Sequence, residues 1–235
     1  MEKFILNDIF SDICGEKGFS LEKINNVSCT KHIHMHAEFV IVTEGTLNVL
    51  YENEMYILNC GEGMFFMPYE IHGYITSDSN TSIILVFNPN IIEELCGYTT
   101  LAENHFIIRQ SILNLIDDFS SESKLDSINI KSILYALFSL LNSKSEVFKN
   151  IPSNNSICRQ ALYFIDKNYN KNITLKSAAD ALNCHYAYLS RIFSENTGYS
   201  FTSYLNRLRT VYSLKDLKNN NMSITIVAEK TDFRH

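Results

Sequence analysis

An α+β fold in two parts follows from three features of the 235-residue sequence. From Gly18 to Asn88, short β-rich runs alternate with turn residues, the pattern of a small antiparallel barrel or jelly roll. Beyond Asn104 the apolar residues switch to helical spacing. Charge is divided as well: residues 151–235 hold 11 Lys+Arg against 6 Asp+Glu, net +5, while residues 1–150 hold 9 against 20, net −11. A basic helical module joined to an acidic β module suits a nucleic-acid reader with a separate sensor. The expected fold is an N-terminal antiparallel β-barrel followed by helices, then an all-α domain. The expected boundaries are 1–100 for the barrel, 101–148 for the middle helices and 149–235 for the last domain.

Composition narrows the setting. No uninterrupted apolar run approaches the length of a membrane span. The opening MEKFILNDIF carries acidic residues, and its apolar run is too short for a signal peptide. Cys14, Cys29, Cys60, Cys96, Cys158 and Cys184 form no CxxC pair. Reduced thiols in a cytoplasm are expected, rather than disulfides or a thiolate zinc site.

Strand candidates are His34–Thr43, Thr46–Glu52, Glu54–Asn59, Gly63–Pro68 and Ser82–Asn88. Asn104–Phe119 carries Phe106, Ile107, Leu113, Ile116 and Phe119 at helical spacing. Ile128–Leu141 carries the wider stripe Ile130, Ile133, Leu134, Leu137, Phe138 and Leu141. Asn142–Ser156, rich in Ser, Asn and Lys and containing Pro152, reads as a linker. Ser156 then caps a helix over Ile157–Tyr169, whose Ala161, Leu162, Ile165 and Tyr169 face a core.

Ile173–Arg209 predicts a helix-turn-helix. Thr174 is an N-cap before Leu175, Ala178, Ala179 and Leu182; Asn183-Cys184 supplies the turn; Leu189, Ile192 and Phe193 line one face of the second helix; and Gly198 stops it. That leaves Tyr186, Ala187, Ser190, Arg191 and Ser194 outward, as the DNA-binding face. Arg191 suits two-pronged pairing with guanine, Ala187 a thymine methyl, Ser190 either partner, and Tyr186 a phosphate or a stacked base. A solvated surface charge is the plainer reading of Arg191. Phe201–Lys218 forms a long helix, at about 1.5 Å per residue spanning roughly 27 Å.

The spacing A-x9-L-x2-IF-x4-G from Ala179, followed by F-x2-YL-x-R from Phe201, resembles the DNA-binding domain of AraC/XylS-type transcription regulators. The resemblance begins at YFIDKNY and implies base-edge contacts from Ala187, Ser190 and Arg191. His32-x-His34-x3-Glu38-x6-Gly45 resembles the first motif of the cupin barrel. Gly63-x4-Pro68-x3-His72 resembles the second in shortened form, with Glu70 or Ile71 where a glycine usually stands. Cupin sensors precede the DNA-binding domain in many AraC-type regulators.

The resemblance implies a cytoplasmic regulator that binds promoter DNA, answers to a small-molecule effector, and forms a homodimer through the two middle helices. The alternative is that those helices only cover one end of the barrel. His32, His34, Glu38 and His72 are expected to line the ligand pocket, on one strand face joined by His72, with His36 able to stand in for His32. Phe39, Phe66, Tyr74 and Phe87 are candidates to shape that pocket. No cofactor and no bound metal is expected. The same four residues as ligands for iron, manganese or zinc, in a metal-dependent cupin enzyme, form the alternative. A further alternative is a regulator partner that does not itself bind DNA.

AraC-type domains carry two helix-turn-helix units. At an offset of 49, Ser223 matches Thr174, Ile224 matches Leu175, Ala228 matches Ala179 and Asp232 matches Asn183. His235 then falls on Tyr186, so the second unit is partial in this sequence, and Ser223–His235 is expected to be frayed or differently packed.

Overall fold

The computed structural model describes residues 14, 18–51, 54–76, 79–92, 104–121, 125–142, 154–220 and 223–231, which fall into two compact units within residues 11–150 and 151–235. Among the described residues the first unit holds eight antiparallel strands: β1 (Phe19–Asn25), β2 (Cys29–His32), β3 (Ala37–Tyr51), β4 (Glu54–Asn59), β5 (Glu62–Phe66), β6 (His72–Ile75), β7 (Asn80–Phe87) and β8 (His105–Ile107). One sheet runs β1-β7-β3-β5-β8, and the other joins β2, β6, β3 and β4. Two helices, α1 (Gln110–Ser121) and α2 (Ser127–Asn142), complete the unit.

β3 belongs to both sheets. Ala37–Gly45 pairs with β7, and Thr46–Tyr51 pairs with β4. The switch occurs at a bulge between Val42 and Glu44, next to Gly45 at φ +70°. A Cβ on Gly45 would lie 2.0 Å from the Ser79 carbonyl oxygen, so only glycine fits the bend. The two expected strands on either side of this glycine are therefore one strand with a bend, not a hairpin.

Both faces of the first half of β3 are covered, which explains its continuous burial. Phe39 and Ile41 join Phe65, Leu85 and Phe87 in a core completed by Ile112 and Ile116 of α1 and Ile133, Leu137 and Phe138 of α2. Val40 and Val42 face the other way, into the space between the sheets, with Leu47, Val49, Leu58, Met64, Phe66, Tyr74 and Val86. Phe39 and Phe87 thus sit on the helix side of the sheet and not in the expected pocket; Phe66 and Tyr74 lie on the interior side.

Residues 104–119 differ from the single expected helix. His105–Ile107 is β8, pairing with β5, and the helix starts only at Gln110. Alternation decides it: Phe106 is buried while Ile107 is 64% exposed, the period of a strand. Gly63 makes room for this pairing, since a Cβ there would lie 2.4 Å from the Phe106 ring.

The second unit comprises α3 (Asn154–Asn168), α4 (Leu175–Ala181), α5 (Tyr186–Thr197), α6 (Phe201–Asn220) and α7 (Ile224–Lys230). α3 begins two residues before the expected cap at Ser156, whose side chain and most of the expected linker lie outside the described residues. Thr174 and Ser177 form a reciprocal capping box, with bonds of 3.1 and 2.9 Å between each side chain and the other's backbone N–H. Asn183 takes φ 51° in the turn, and Gly198 ends α5 at φ 69°. Arg209, buried on α6, donates from Nε to the Tyr169 carbonyl and from Nη2 to that of Lys171, both at 2.8 Å, fixing the approach to α4.

Within the stretch expected to be frayed or differently packed, residues 224–230 are helical, with Val227 buried and Thr231 hydrogen-bonded to Ser213 at 3.0 Å. Phe233 lies outside the described residues. No helix among the described residues is long and apolar enough to cross a membrane.

Candidate functional site

Two places carry chemistry. In the helical unit, α5 buries Leu189, Ile192, Phe193 and Thr197, and Phe193 packs against Phe201 and Tyr204 with ring centroids 5.6 and 5.5 Å away. Tyr186, Ala187, Arg191 and Ser194 are exposed and Ser190 is half-buried, so the five outward positions share one side of the helix. His185 caps the helix, its Nδ1 accepting from the Ala187 N–H at 3.3 Å.

The guanidinium of Arg191 lies 3.6 Å from Glu195 and 5.9 Å from the centre of the Tyr188 ring. Neither partner stood out from sequence, although the i,i+4 spacing of Arg191 and Glu195 was visible there. The Ser194 hydroxyl donates back to the carbonyls of Ser190 and Arg191 at 2.9 and 3.0 Å. Its proton is already engaged by the helix.

In the barrel, His32, His34, Glu38 and His72 converge, their ligating atoms all within 4.8 Å of one another and all four residues buried. They do not share one strand face as expected. His32 ends β2, His34 lies in the connection 33–36, Glu38 is the second residue of β3, and His72 opens β6 opposite His32. The connection folds back, so an imidazole and a carboxylate four residues apart meet, His34 Nε2 to Glu38 Oε2 at 3.0 Å. His72 Nε2 lies 3.4 Å from the same oxygen. His32 joins the group and His36 does not, although His36 is buried nearby, its ring centre 6.0 Å from that of His34.

The surroundings hold these rings in place. Nδ1 of His32 lies 3.0 Å from the Thr30 carbonyl, Nδ1 of His34 3.0 Å from that of His36, and Nδ1 of His72 2.9 Å from that of Glu70. Phe66 stacks on His72, centroids 4.2 Å apart and planes 6° from parallel. The Tyr74 hydroxyl donates to Glu38 Oε1. Sequence placed Tyr74 as a shape-setting aromatic; its hydrogen bond depends on strand register that no local spacing encodes.

Burial, with His72 and His34 close by, pushes His32 down to about 4, so it is neutral near pH 7. Burial also works to raise the Glu38 carboxyl, but the charge of His72 and the hydrogen bonds of His34 and His72 outweigh it and hold Glu38 well below the usual carboxylate range. For His72 burial pulls downward, and the Glu38 carboxylate more than reverses it. Burial and then Glu38 raise the Tyr74 phenol well above its ordinary value, keeping it a donor. The result is a buried cluster in which the Glu38 carboxylate sits against His34, His72 and the Tyr74 hydroxyl.

With this geometry in view, comparisons with known proteins are specific. Residues 21–156 match the family described as AraC-like ligand binding domain, and residues 165–206 match bacterial regulatory helix-turn-helix proteins, AraC family. The HTH-type transcriptional activator RhaS of Citrobacter koseri is 23% identical over 219 residues, covering 86% of this chain and 79% of RhaS. RhaS of Escherichia coli matches with the same identity and coverage. A crystal structure of an apo ToxT variant from Vibrio cholerae superposes with a TM-score of 0.51 at 11% identity, over 91% of this chain and 88% of that one, a likeness of fold.

Proposed function

The chain belongs to the AraC family of bacterial transcription regulators, ligand-responsive proteins that bind DNA, and from that premise we propose which residues do the reading. α5 is the recognition helix. One observation supports this most directly: its Leu189, Ile192 and Phe193 side is buried, while the side bearing Tyr186, Ala187 and Arg191 is open along its length. A helix seated in this way presents a rod of the width the major groove admits. Arg191 reads guanine, Ala187 lies against a thymine methyl, and Tyr186, near the helix N-terminus, contacts the backbone. Ser190 lends its hydroxyl. Ser194, its proton engaged within the helix, adds an acceptor only.

The barrel takes the effector between its sheets, beside His32, His34, Glu38 and His72. The protein acts as a homodimer inside the cell, since a two-fold protein matches palindromic or repeated half-sites. Regulation, and not catalysis, accounts for the pairing of a ligand-binding domain with a DNA reader.

Selection of double-stranded DNA from a random pool by the full chain tests this reading. Enrichment of a defined motif is expected, and Ala187→Glu, which brings a carboxylate against the acidic groove, abolishes retention. A pool without enrichment, or Ala187→Glu binding the motif as the unchanged protein does, overturns the assignment of α5.

A further inference from the structure

Arg191 has a neighbour on each side of it along α5. Glu195, one turn toward the C-terminus, holds a carboxylate oxygen 3.6 Å from Arg191 Nη1. Tyr188, one turn toward the N-terminus and half-buried, has its ring centre 5.9 Å from the guanidinium carbon. Spacings of i,i+4 and i,i+3 put all three on one side of the helix. The two neighbours ask different things of the guanidinium. Glu195 engages an N–H on the edge of its plane, whereas the ring face of Tyr188 attracts the cation as a whole and consumes no donor.

That difference decides which contact outlasts DNA binding. Two-pronged pairing with guanine uses guanidinium N–H groups, so a carboxylate on the same edge competes with the base. DNA phosphates repel that carboxylate besides. The ring carries no charge for phosphate to repel and leaves every N–H to the base. Direction favours the ring as well. Helical side chains lean toward the N-terminus, so Arg191 reaches over the turn that carries Tyr188. The N-terminal end of a recognition helix is also where base edges are contacted. Pairing costs a long side chain its rotamer freedom, and a contact already made in the free protein lowers that cost.

We infer that Tyr188 is a positioning residue for base reading: its ring holds the Arg191 guanidinium toward the groove-entering end of α5, ready for guanine. The inference rests on the reading of α5 as the recognition helix. It gives Tyr188 a share of the specificity without any base contact of its own. An exposed contact of this kind contributes roughly two- to fivefold.

Tyr188→Leu keeps an apolar side chain and removes the ring, and Tyr188→Phe keeps the ring and removes the hydroxyl. Fluorescence anisotropy gives affinities for the selected motif and for scrambled DNA. The full chain is compared with both variants, with Arg191→Ala, and with Arg191→Ala combined with Tyr188→Leu. Tyr188→Leu is expected to lose roughly two- to fivefold of the preference for the motif while binding scrambled DNA as before. Tyr188→Phe keeps the preference. With Arg191→Ala already present, Tyr188→Leu costs nothing further, the mark of a residue that acts through another. An untouched preference in Tyr188→Leu, an equal loss on both DNAs, an equal loss in both backgrounds, or the same loss in Tyr188→Phe overturns the positioning role.

Nuclear magnetic resonance of the DNA-free chain supplies a second readout, and its amide spectrum reports whether each variant is folded. The ring current should shift the Arg191 side-chain signals upfield in the unchanged chain and in Tyr188→Phe, and not in Tyr188→Leu. No such shift, with Arg191 still needed for the motif, overturns the positioning role alone. A clear shift, with Arg191→Ala keeping the full preference, overturns the guanine reading of Arg191 and the role of Tyr188 with it.

Discussion

Arg191→Ala separates base reading from charge. The guanidinium starts with little to lose: its contact with Glu195 is 3.6 Å long, with the two side chains 60% and 51% exposed. Exposed pairs of this kind are worth about 0–1 kcal/mol. Two-pronged pairing with guanine contributes about 1–3 kcal/mol of discrimination, or roughly 5- to 150-fold in affinity. Fluorescence anisotropy against the selected motif and against scrambled DNA of equal length, at several salt concentrations, resolves the parts. Arg191→Ala is expected to lose that 5- to 150-fold on the motif beyond whatever it loses on scrambled DNA. Arg191→Lys keeps the charge but not the planar fork, so it should bind scrambled DNA normally and still lose preference for the motif. Glu195→Ala should alter either affinity by less than about 1 kcal/mol. If Arg191→Ala weakens both DNAs equally and lowers the salt slope by about 0.9, the residue touches phosphate and the base-reading argument fails.

Two further predictions concern the support of that helix. Phe193→Ala empties a fully buried site beside Phe201 and Tyr204 and should cost about 3–5 kcal/mol, read as an early transition of the 151–235 unit by calorimetry, with the barrel transition unmoved; a loss under about 1 kcal/mol would mean that α5 is not seated as described. Asp166, half-buried on α3, has its carboxyl raised by burial, against the hydrogen bond from Tyr212 at 2.8 Å and the charge of Lys167. A folded-state pKa above the unfolded value means that the folded chain binds the proton more tightly, so its contribution to stability falls as pH rises through the window between the two. Asp166→Asn keeps an acceptor for Tyr212 and removes the charge, so denaturant melts should show a flatter pH profile in the acid range and no loss at pH 7; a clear loss at pH 7 would show that the ionised carboxylate is favourable there.

The parts legible in the sequence are those that short range decides. Thr174, Asn183 and Gly198 each serve a local backbone need, and each stands where that need arises. The outward set on α5 follows from the placement of Leu189, Ile192 and Phe193 alone. The barrel was less legible. Gly45 looks like a turn because a glycine between two β-rich runs has the same composition whether the chain reverses or bends; only the Ser79 carbonyl, 34 residues away, tells them apart. Phe39 and Phe87 were placed on the wrong side of the sheet because two covered faces erase the polar alternation that would orient them. The sequence names the four residues that the fold brings together, but not their route, since the 33–36 connection obeys no period.

The first half of β3 joins the cluster to the rest of the first unit. Glu38 and Phe39 are neighbours on β3 with side chains on opposite faces, one toward the histidines and one toward the helices. Phe39 meets Phe138 of α2 edge-on, ring centres 5.4 Å apart, and Phe65 meets the same ring at 5.1 Å. The backbone of Glu38 and Phe39 thus links the cluster to a close-packed aromatic contact, which does not absorb displacement gradually. If the effector binds beside the cluster as proposed, the two helices after the barrel, expected from sequence either to dimerise or to cover the barrel, meet the sheet through this contact.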